Sequence, residues 1–247
     1  MIRTILFNKK TYLFLFLLST YISEIYPKTA NDSLVIAFES KPQGSDPRIL
    51  GSDSNAQYIE ELRFLPLISF DEKGALKYVV AETINCKEKN SCKIKIKNGI
   101  KFANGKTLTA DDIIATYQSI LEPKADFPPS PRKGVFENIQ SIKKISFDML
   151  EIHLKSLDAP FLSNLSIGIL PKEAVENAKP GEINNKGYES GPYILQSSND
   201  AEWILVRNPH YTFSTPAKIN KIIFKIISDA GTRYAALLKG DLDIAQN

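Results

Sequence analysis

The chain has 247 residues, 43% hydrophobic and 24% charged, enough for one large domain or two small ones of ordinary globular composition. Its formal charge of +3 resides in residues 1–30, where Arg3, Lys9, Lys10 and Lys28 face only Glu24, so the rest of the chain is neutral. A neutral body has no electrostatic footprint for nucleic acid or an anionic membrane, which excludes nucleic-acid binding from the expected functions.

Residues 1–30 read as a signal peptide. Arg3, Lys9 and Lys10 precede the apolar run Tyr12–Leu18, about the length of a signal-peptide core and short for a bilayer span. Cleavage after Ser23 or after Ala30 fits; the alternative is an uncleaved N-terminal anchor. No cysteine follows the apolar run, so no lipoprotein anchor is expected.

Leu34–Phe38 is a buried-strand run, broken by Lys41–Pro47. The polar loop Gly51-Ser52-Asp53-Ser54 carries small side chains and backbone groups suited to hydrogen-bonding a ligand's main chain. It reads equally as a plain loop leading into a helix over Ala56–Phe64, capped by Ser54 or Asn55. A short strand at Pro66–Phe70, a turn at Asp71–Gly74 and a strand at Thr83–Cys86 follow.

The stretch from Cys92 to Glu122 is the most strongly patterned. Cys92, Ile94 and Ile96 alternate with Lys93, Lys95 and Lys97, the period of a strand packed on one side. Asn98-Gly99 and Asn104-Gly105 make turns around the short return Ile100–Phe102. Thr109 and Asp112 have capping-box spacing, and Ile113, Ile114, Tyr117, Ile120 and Leu121 line one helical face until Pro123. Cys86 and Cys92, the only cysteines, flank a hairpin tip on inward strand positions. In an oxidising compartment they close a disulfide; otherwise they are two small buried thiols.

Lys124–Gly134 is an irregular, proline-rich loop. Ile139–Ile145 and Met149–Leu154 read as strands, with His153 solvated beside Glu151 and Lys155. Short helices follow at Phe161–Leu165 and, behind Pro171, at Lys172–Ala178. Glu202–Val206 is a strand bearing Trp203, and Asn208–Tyr211 a turn. Ile219–Ile227 is a long apolar strand of central character. Thr232–Lys239 is a helix closed by Gly240, and Leu242–Ala245 begins another strand.

Nothing in this pattern is reactive. There is no phosphate-cradling glycine loop, no nucleophile elbow and no metal-ligand cluster, so neither catalysis nor a cofactor is expected. Ser190 with His210 is the least unsuited nucleophile–base pair. The paired acids Glu60-Glu61 read as a solvated helix face.

The string Asn98-Gly99-Ile100-Lys101-Phe102-Ala103-Asn104-Gly105-Lys106-Thr107-Leu108-Thr109-Ala110-Asp111-Asp112-Ile113 resembles the signature of the bacterial extracellular solute-binding proteins, family 5, which deliver oligopeptides, dipeptides and similar solutes to ABC importers. Further matches occur in the family's order at Ser45-Asp46-Pro47, Glu61-Leu62, Pro66-Leu67-Ile68, Ile169-Leu170-Pro171-Lys172, Ser190-Gly191-Pro192-Tyr193, Arg207-Asn208-Pro209-His210-Tyr211 and Gly240–Ala245. The resemblance implies an α/β fold: a type II periplasmic-binding-protein lobe, a mixed sheet with flanking helices, carrying an inserted α+β subdomain. It assigns 31–48 and 165–247 to the first lobe and 49–164 to the subdomain.

It also implies ligand contacts at Gly51, Ser52, Asp53 and Ser54 and at Ser190, Gly191 and Tyr193. The implied partners are a peptide-like solute and the permease subunits of an importer, in the periplasm. Two departures stand out. Glu189 occupies the place of a family glycine, which puts a tight backbone approach there in question. The chain also ends where the family crosses into its second lobe, so a separately encoded second lobe joins the expected partners. The alternative is a lone-lobe interaction protein, or a remnant, that binds no solute.

Overall fold

In chain order the elements begin with β1 (Ser33–Phe38), α1 (Ser54–Arg63), β2 (Ile68–Phe70), β3 (Leu76–Tyr78), β4 (Ala81–Glu88) and β5 (Ser91–Ile96). Next come α2 (Ala110–Leu121), α3 (Lys133–Phe136), β6 (Ile139–Ser146), β7 (Met149–Leu154), α4 (Phe161–Asn164) and α5 (Lys172–Asn177). The last are β8 (Tyr193–Ser198), β9 (Glu202–Arg207), β10 (Lys221–Ile226), α6 (Ala230–Lys239) and β11 (Ile244–Ala245). The computed structural model describes residues 32–88, 90–156, 160–179, 182–184 and 186–246; the expected signal peptide, 1–30, lies outside them.

Five strands form a mixed sheet in the order β11-β1-β10-β9-β8. β1 runs parallel to both β10 and β11, whereas β9 is antiparallel to β10 and β8. Alternation in Lys221–Ile226 sends Ile222 and Phe224 to one face, where they meet Phe38, Tyr193, Trp203, Leu205 and Ile59 of α1. On the other face Ile223 joins Val35, Ala37, Leu242 and Ala236 of α6. The central strand is thus covered on both sides, as its apolar stretch Ile222-Ile223-Phe224 requires.

A second, antiparallel sheet has the order β4-β5-β7-β6. The alternating β5 places Ile94 opposite Leu150 and Cys92 opposite Ile152. These inward residues pack with Ile113, Tyr117 and Ile120 of α2 in the largest apolar cluster of the described residues. The lysines stay outside, Lys95 bridging Glu82 at 2.8 Å. His153 lies on the same face with Nε2 3.1 Å from Glu151. Cys86 and Cys92 are joined as a disulfide with Cα atoms 4.1 Å apart. At the start of α2 the Asp112 carboxylate accepts the Thr109 amide and hydroxyl at 2.8 and 3.0 Å. Its other oxygen accepts Lys172 N at 2.7 Å, stitching α2 to α5.

Three differences from the sequence pattern have physical causes. α1 is capped by Asp53 rather than Ser54 or Asn55: the carboxylate accepts from Asn55 N and Ala56 N at 3.0 and 3.2 Å. β8 goes unannounced because only its first half, Tyr193–Leu195, is apolar, with Tyr193 and Leu195 buried, while Gln196–Ser198 is exposed. The short helix α3 interrupts the proline-rich loop and buries Phe136 edge-on against Tyr117, ring centroids 5.2 Å apart.

The two sheets meet where the end of α1 crosses the loop before β8. Arg63 and Glu189 pair at 2.7 Å with side chains 0% and 1% exposed. Burial pushes the guanidinium below its usual range while Glu189 opposes that shift. Arg63 also donates to Asn184 Oδ1 at 3.0 Å. Glu189, where the resemblance expects a glycine, thus points inward and answers a buried arginine. The tight approach is kept two residues later: a Cβ on Gly191 would lie 2.6 Å from Leu62 O, and the Gly191 amide donates to Arg63 O at 2.7 Å. Removing one partner of such a pair strands the other charge, so Glu189→Leu is expected to lose about 3–5 kcal/mol. Arg63→Met combined with Glu189→Leu is expected to recover most of that loss in urea unfolding. A single variant within about 1 kcal/mol of the parent would show that water reaches the pair.

Candidate functional site

In open α/β sheets, ligands bind beyond the carboxyl ends of parallel strands. Here β1 and β11 end on the same edge, and the segment after β1, together with Gln246, borders a depression of about 570 Å³. Its rim includes Glu39, Lys41, Gln43, Gly51, Ser52 and Pro131. The loop Gly51–Ser54 lies across it, with Gly51, Ser52 and Ser54 exposed. The loop is pinned from below. Asp53 accepts Gln43 N at 2.6 Å besides capping α1, and Gln57 Nε2 donates to Gly51 O at 2.9 Å. The Ser52 and Ser54 hydroxyls make no hydrogen bond among the described residues, so a fixed backbone carries free polar groups.

Ser190, Gly191 and Tyr193 lie elsewhere. They sit near the opposite end of α1, a ten-residue helix about 15 Å long. All three are buried. Ser190 Oγ accepts Leu65 N at 2.9 Å, and Tyr193 OH donates to Ile219 O at 3.0 Å. Their polar atoms serve the fold, and the structure does not bring them together with Gly51–Ser54. The Ser190 hydroxyl faces Leu65 while His210 is exposed in a turn, so the two do not form a nucleophile–base pair. Among the described residues no group of three or more His, Cys, Asp or Glu is placed to hold a metal.

A second cavity of about 570 Å³ opens along the middle of α1, and the sequence pattern did not point to it. Gln57, Glu60, Glu61, Arg132, Ser166 and Gly168 contribute its polar lining; Phe64, Phe70, Tyr211 and Phe213 contribute aromatic walls. Glu61 is exposed as the paired-acid reading expects, but Glu60 is buried at 5% exposure. The signal was available in the helical period: Ala56, Ile59, Glu60 and Arg63 share the inward stripe of α1. Glu60 Oε1 accepts Gly168 N at 3.0 Å, and Oε2 lies 4.0 Å from Arg132 Nη2. Gly168 is obligatory there, since a Cβ would come within 2.5 Å of Phe64 Cβ and 2.9 Å of Glu60 Oε1. Burial raises the Glu60 carboxyl to about 7, against the opposing Gly168 amide and Arg132 charge.

With this geometry in hand, comparison with known proteins identifies the class. The model of the bacterial extracellular solute-binding proteins, family 5 (middle region), matches residues 77–247, and the chain belongs to that family. It is 26% identical over 243 residues to the dipeptide-binding protein of Pseudomonas aeruginosa, covering 88% of this chain and 45% of that one. It is likewise 26% identical over 251 residues to the oligopeptide-binding protein AppA of Bacillus subtilis, covering 93% and 46%. Among solved structures, AppA with a nonapeptide superposes at TM-score 0.75 and 27% identity, covering 85% of this chain and 43% of that one. NikZ from Campylobacter jejuni with Ni(L-His) superposes at TM-score 0.78 and 25% identity, covering 88% and 43%. The chain spans somewhat under half the length of the curated relatives it matches. The family is one of solute-binding proteins rather than enzymes. Among the described residues no helix is long and apolar enough to cross a membrane.

The position of Glu60 makes stability depend on pH. Its carboxyl titrates near 7 in the folded chain against an ordinary 4.5, so between those values the folded state holds a proton that the unfolded state has lost. The stabilising contribution is complete below about 4.5 and disappears as pH rises through about 7. A displacement of that size corresponds to roughly 3 kcal/mol. Glu60→Gln keeps an acceptor for Gly168 N and removes the titration. Relative to the parent, the variant is expected to gain stability from pH 5 to pH 8, read by urea unfolding. Parallel stability–pH curves would refute the assignment.

Proposed function

We propose that this chain is the first lobe of an exported solute-binding protein that captures a peptide or peptide-like solute and presents it to the permease subunits of an ABC importer, without catalysis. The observation that carries the proposal is the depression at the carboxyl edge of β1 and β11, where a pinned loop offers free hydroxyls at Ser52 and Ser54. Gly51–Ser54 contact the solute in this reading, and Ser190, Gly191 and Tyr193 form the floor on which α1 rests. The named ligands of relatives, dipeptides and a nonapeptide, favour a peptide solute.

The same reading takes residues 1–30 as a cleaved signal peptide without lipid attachment, and the periplasm as the working compartment. It assigns 31–48 and 165–247 to the lobe and 49–164 to an inserted subdomain. In support, the five-stranded sheet draws its strands only from 33–38 and 193–245, and the four-stranded sheet only from 81–154. α1 belongs by number to the subdomain yet packs on the five-stranded sheet, so it acts as the joint. The opposing wall of the cleft is a second lobe, continuous with this chain or separately encoded. Tyr234 and Leu238 on α6 and Ile244 on the edge strand are exposed and favour cover by further polypeptide.

Thermal unfolding of the chain with and without mixed di-, tri- and oligopeptide pools tests the proposal. A ligand at about 100 times its Kd adds roughly 2.7 kcal/mol, which raises the midpoint by several degrees. A sharp transition indifferent to every pool would overturn solute capture by this lobe and favour the lone-lobe interaction protein.

A further inference from the structure

The cavity along the middle of α1 contains two charged groups whose bonding is incomplete. Arg132 is held at its stem: Nε donates to Leu50 O at 3.2 Å and its amide to Ser130 Oγ at 3.1 Å. Neither Nη nitrogen makes a hydrogen bond among the described residues, and the Glu60 Oε2 carboxylate oxygen is 4.0 Å from Nη2. Its side chain is 24% exposed, so the fork of donors is reachable from the cavity. Glu60 is the reverse case. One oxygen is spent on the Gly168 amide, the other accepts no hydrogen bond among the described residues, and the residue is almost wholly buried.

The surroundings decide which group is open to a solute. Arg132, Glu61, Asp46, Arg63 and Tyr117 are the charged or titratable groups that act on Glu60, besides the Gly168 amide. Asp46 is already taken by Arg48 at 2.7 Å. Arg63 pairs with Glu189 and, although its Nη1 has no partner among the described residues, its side chain is 0% exposed and does not line the cavity. Glu61 also lines the cavity, but it is exposed and its carboxylate is screened by solvent. The Tyr117 hydroxyl is buried with no hydrogen-bond partner among the described residues. Among the described residues that line this cavity, Arg132 is therefore the cation whose terminal Nη donors are unspent, in the fork geometry that suits a carboxylate. An ionised Glu60 4 Å away would repel such a guest, and a protonated one would not. A cationic guest would find only the solvent-screened Glu61 carboxylate at the rim, and would have to pass Arg132 to reach the hardly exposed Glu60 oxygen.

We propose that this cavity receives a carboxylate of the solute on the Arg132 guanidinium, and that the guest is admitted together with a proton held on Glu60. The inference rests on solute capture by this wall and specifies its chemistry: acidic peptides are preferred, and more strongly at mildly acidic than at alkaline pH. The proton is drawn from solvent on binding. Arg132 touches the solute; Glu60 acts through Arg132 and through its own charge.

Isothermal titration of the chain with alanine tripeptides carrying Glu, Gln or Lys at each of the three positions, at pH 6 and pH 8, tests this. Terminal charges are common to all the peptides, so only the side chain differs. The Glu peptide is expected to bind about fivefold more tightly than its Gln counterpart at pH 6, the scale of a partly exposed ion pair, and to lose that preference at pH 8. Buffers of different ionisation enthalpy should register proton uptake near pH 7. R132Q removes the preference and leaves binding of the Gln peptide in place; E60Q keeps the preference and makes it independent of pH. A preference for Lys, equal binding of Glu and Gln, a preference that survives R132Q, or one unchanged at pH 8 would overturn the inference while leaving solute capture intact. If no peptide binds at either pH, both fall together.

Discussion

The structure depends on one buried crossing. Residues 189–191 engage the segment 62–65 three times in succession: Glu189 pairs with Arg63, Ser190 Oγ accepts Leu65 N, and the Gly191 amide donates to Arg63 O. Glu189 also accepts the Leu195 amide on β8, and its carbonyl accepts Ala103 N from the turn region after β5. A single loop thereby ties α1, the five-stranded sheet and the outlying four-stranded unit. A buried ion pair is a poor source of net stability, because desolvation offsets most of the attraction. Its effect here is geometric. A shifted register would leave a charge alone in the interior, so the two sheets have one way to meet.

That rigidity determines what α1 can do. Its first turn is pinned through Asp53 and its last through Arg63, and between them the helix presents different groups at different heights. Near its start stand the free hydroxyls of the loop; halfway along, Glu60 faces Arg132 across a cavity. Groups carried on a clamped helix would keep their spacing on binding the proposed solute, which would lower the ordering cost of binding.

Most of the scaffold was legible in the sequence because its elements bury one face each. The period of two in Cys92–Ile96 and the period of 3.6 in Ile113–Leu121 report directly which side meets the core. β1, β10 and the helix ended by Gly240 were legible for the same reason. The seam was not. Arg63 and Glu189 are 126 residues apart, and each looks like an ordinary surface charge until its partner is known. Glu60 was hidden by its neighbour Glu61, since a pair of acids suggests solvent, although the stripe through Ile59 and Arg63 points inward. Gly51–Ser54 and Ser190–Tyr193 entered as one set of ligand contacts by family likeness, yet the length of α1 separates them. Polar groups that answer each other across long sequence distances leave no local period, and these are the groups that shape the site.

The family likeness carries the scaffold further than the chemistry. Relatives of this fold hold a nonapeptide in one case and Ni(L-His) in another, so the sheet and its helices do not choose the solute. Choice lies with side chains on the wall, and their strength depends on what faces them. Two unit charges 4 Å apart attract by about 1 kcal/mol in water and about 4 kcal/mol at the effective dielectric of a partly closed site. An open wall therefore discriminates weakly between charged and neutral guests, whatever its residues. The same Arg132 acting in a closed cleft would discriminate roughly a hundredfold more strongly by that arithmetic, because water no longer competes for its donors. On the proposed reading, selectivity and closure are thus one physical variable: an opposing wall would matter less for the contacts it adds than for the water it removes from groups already in place on this one.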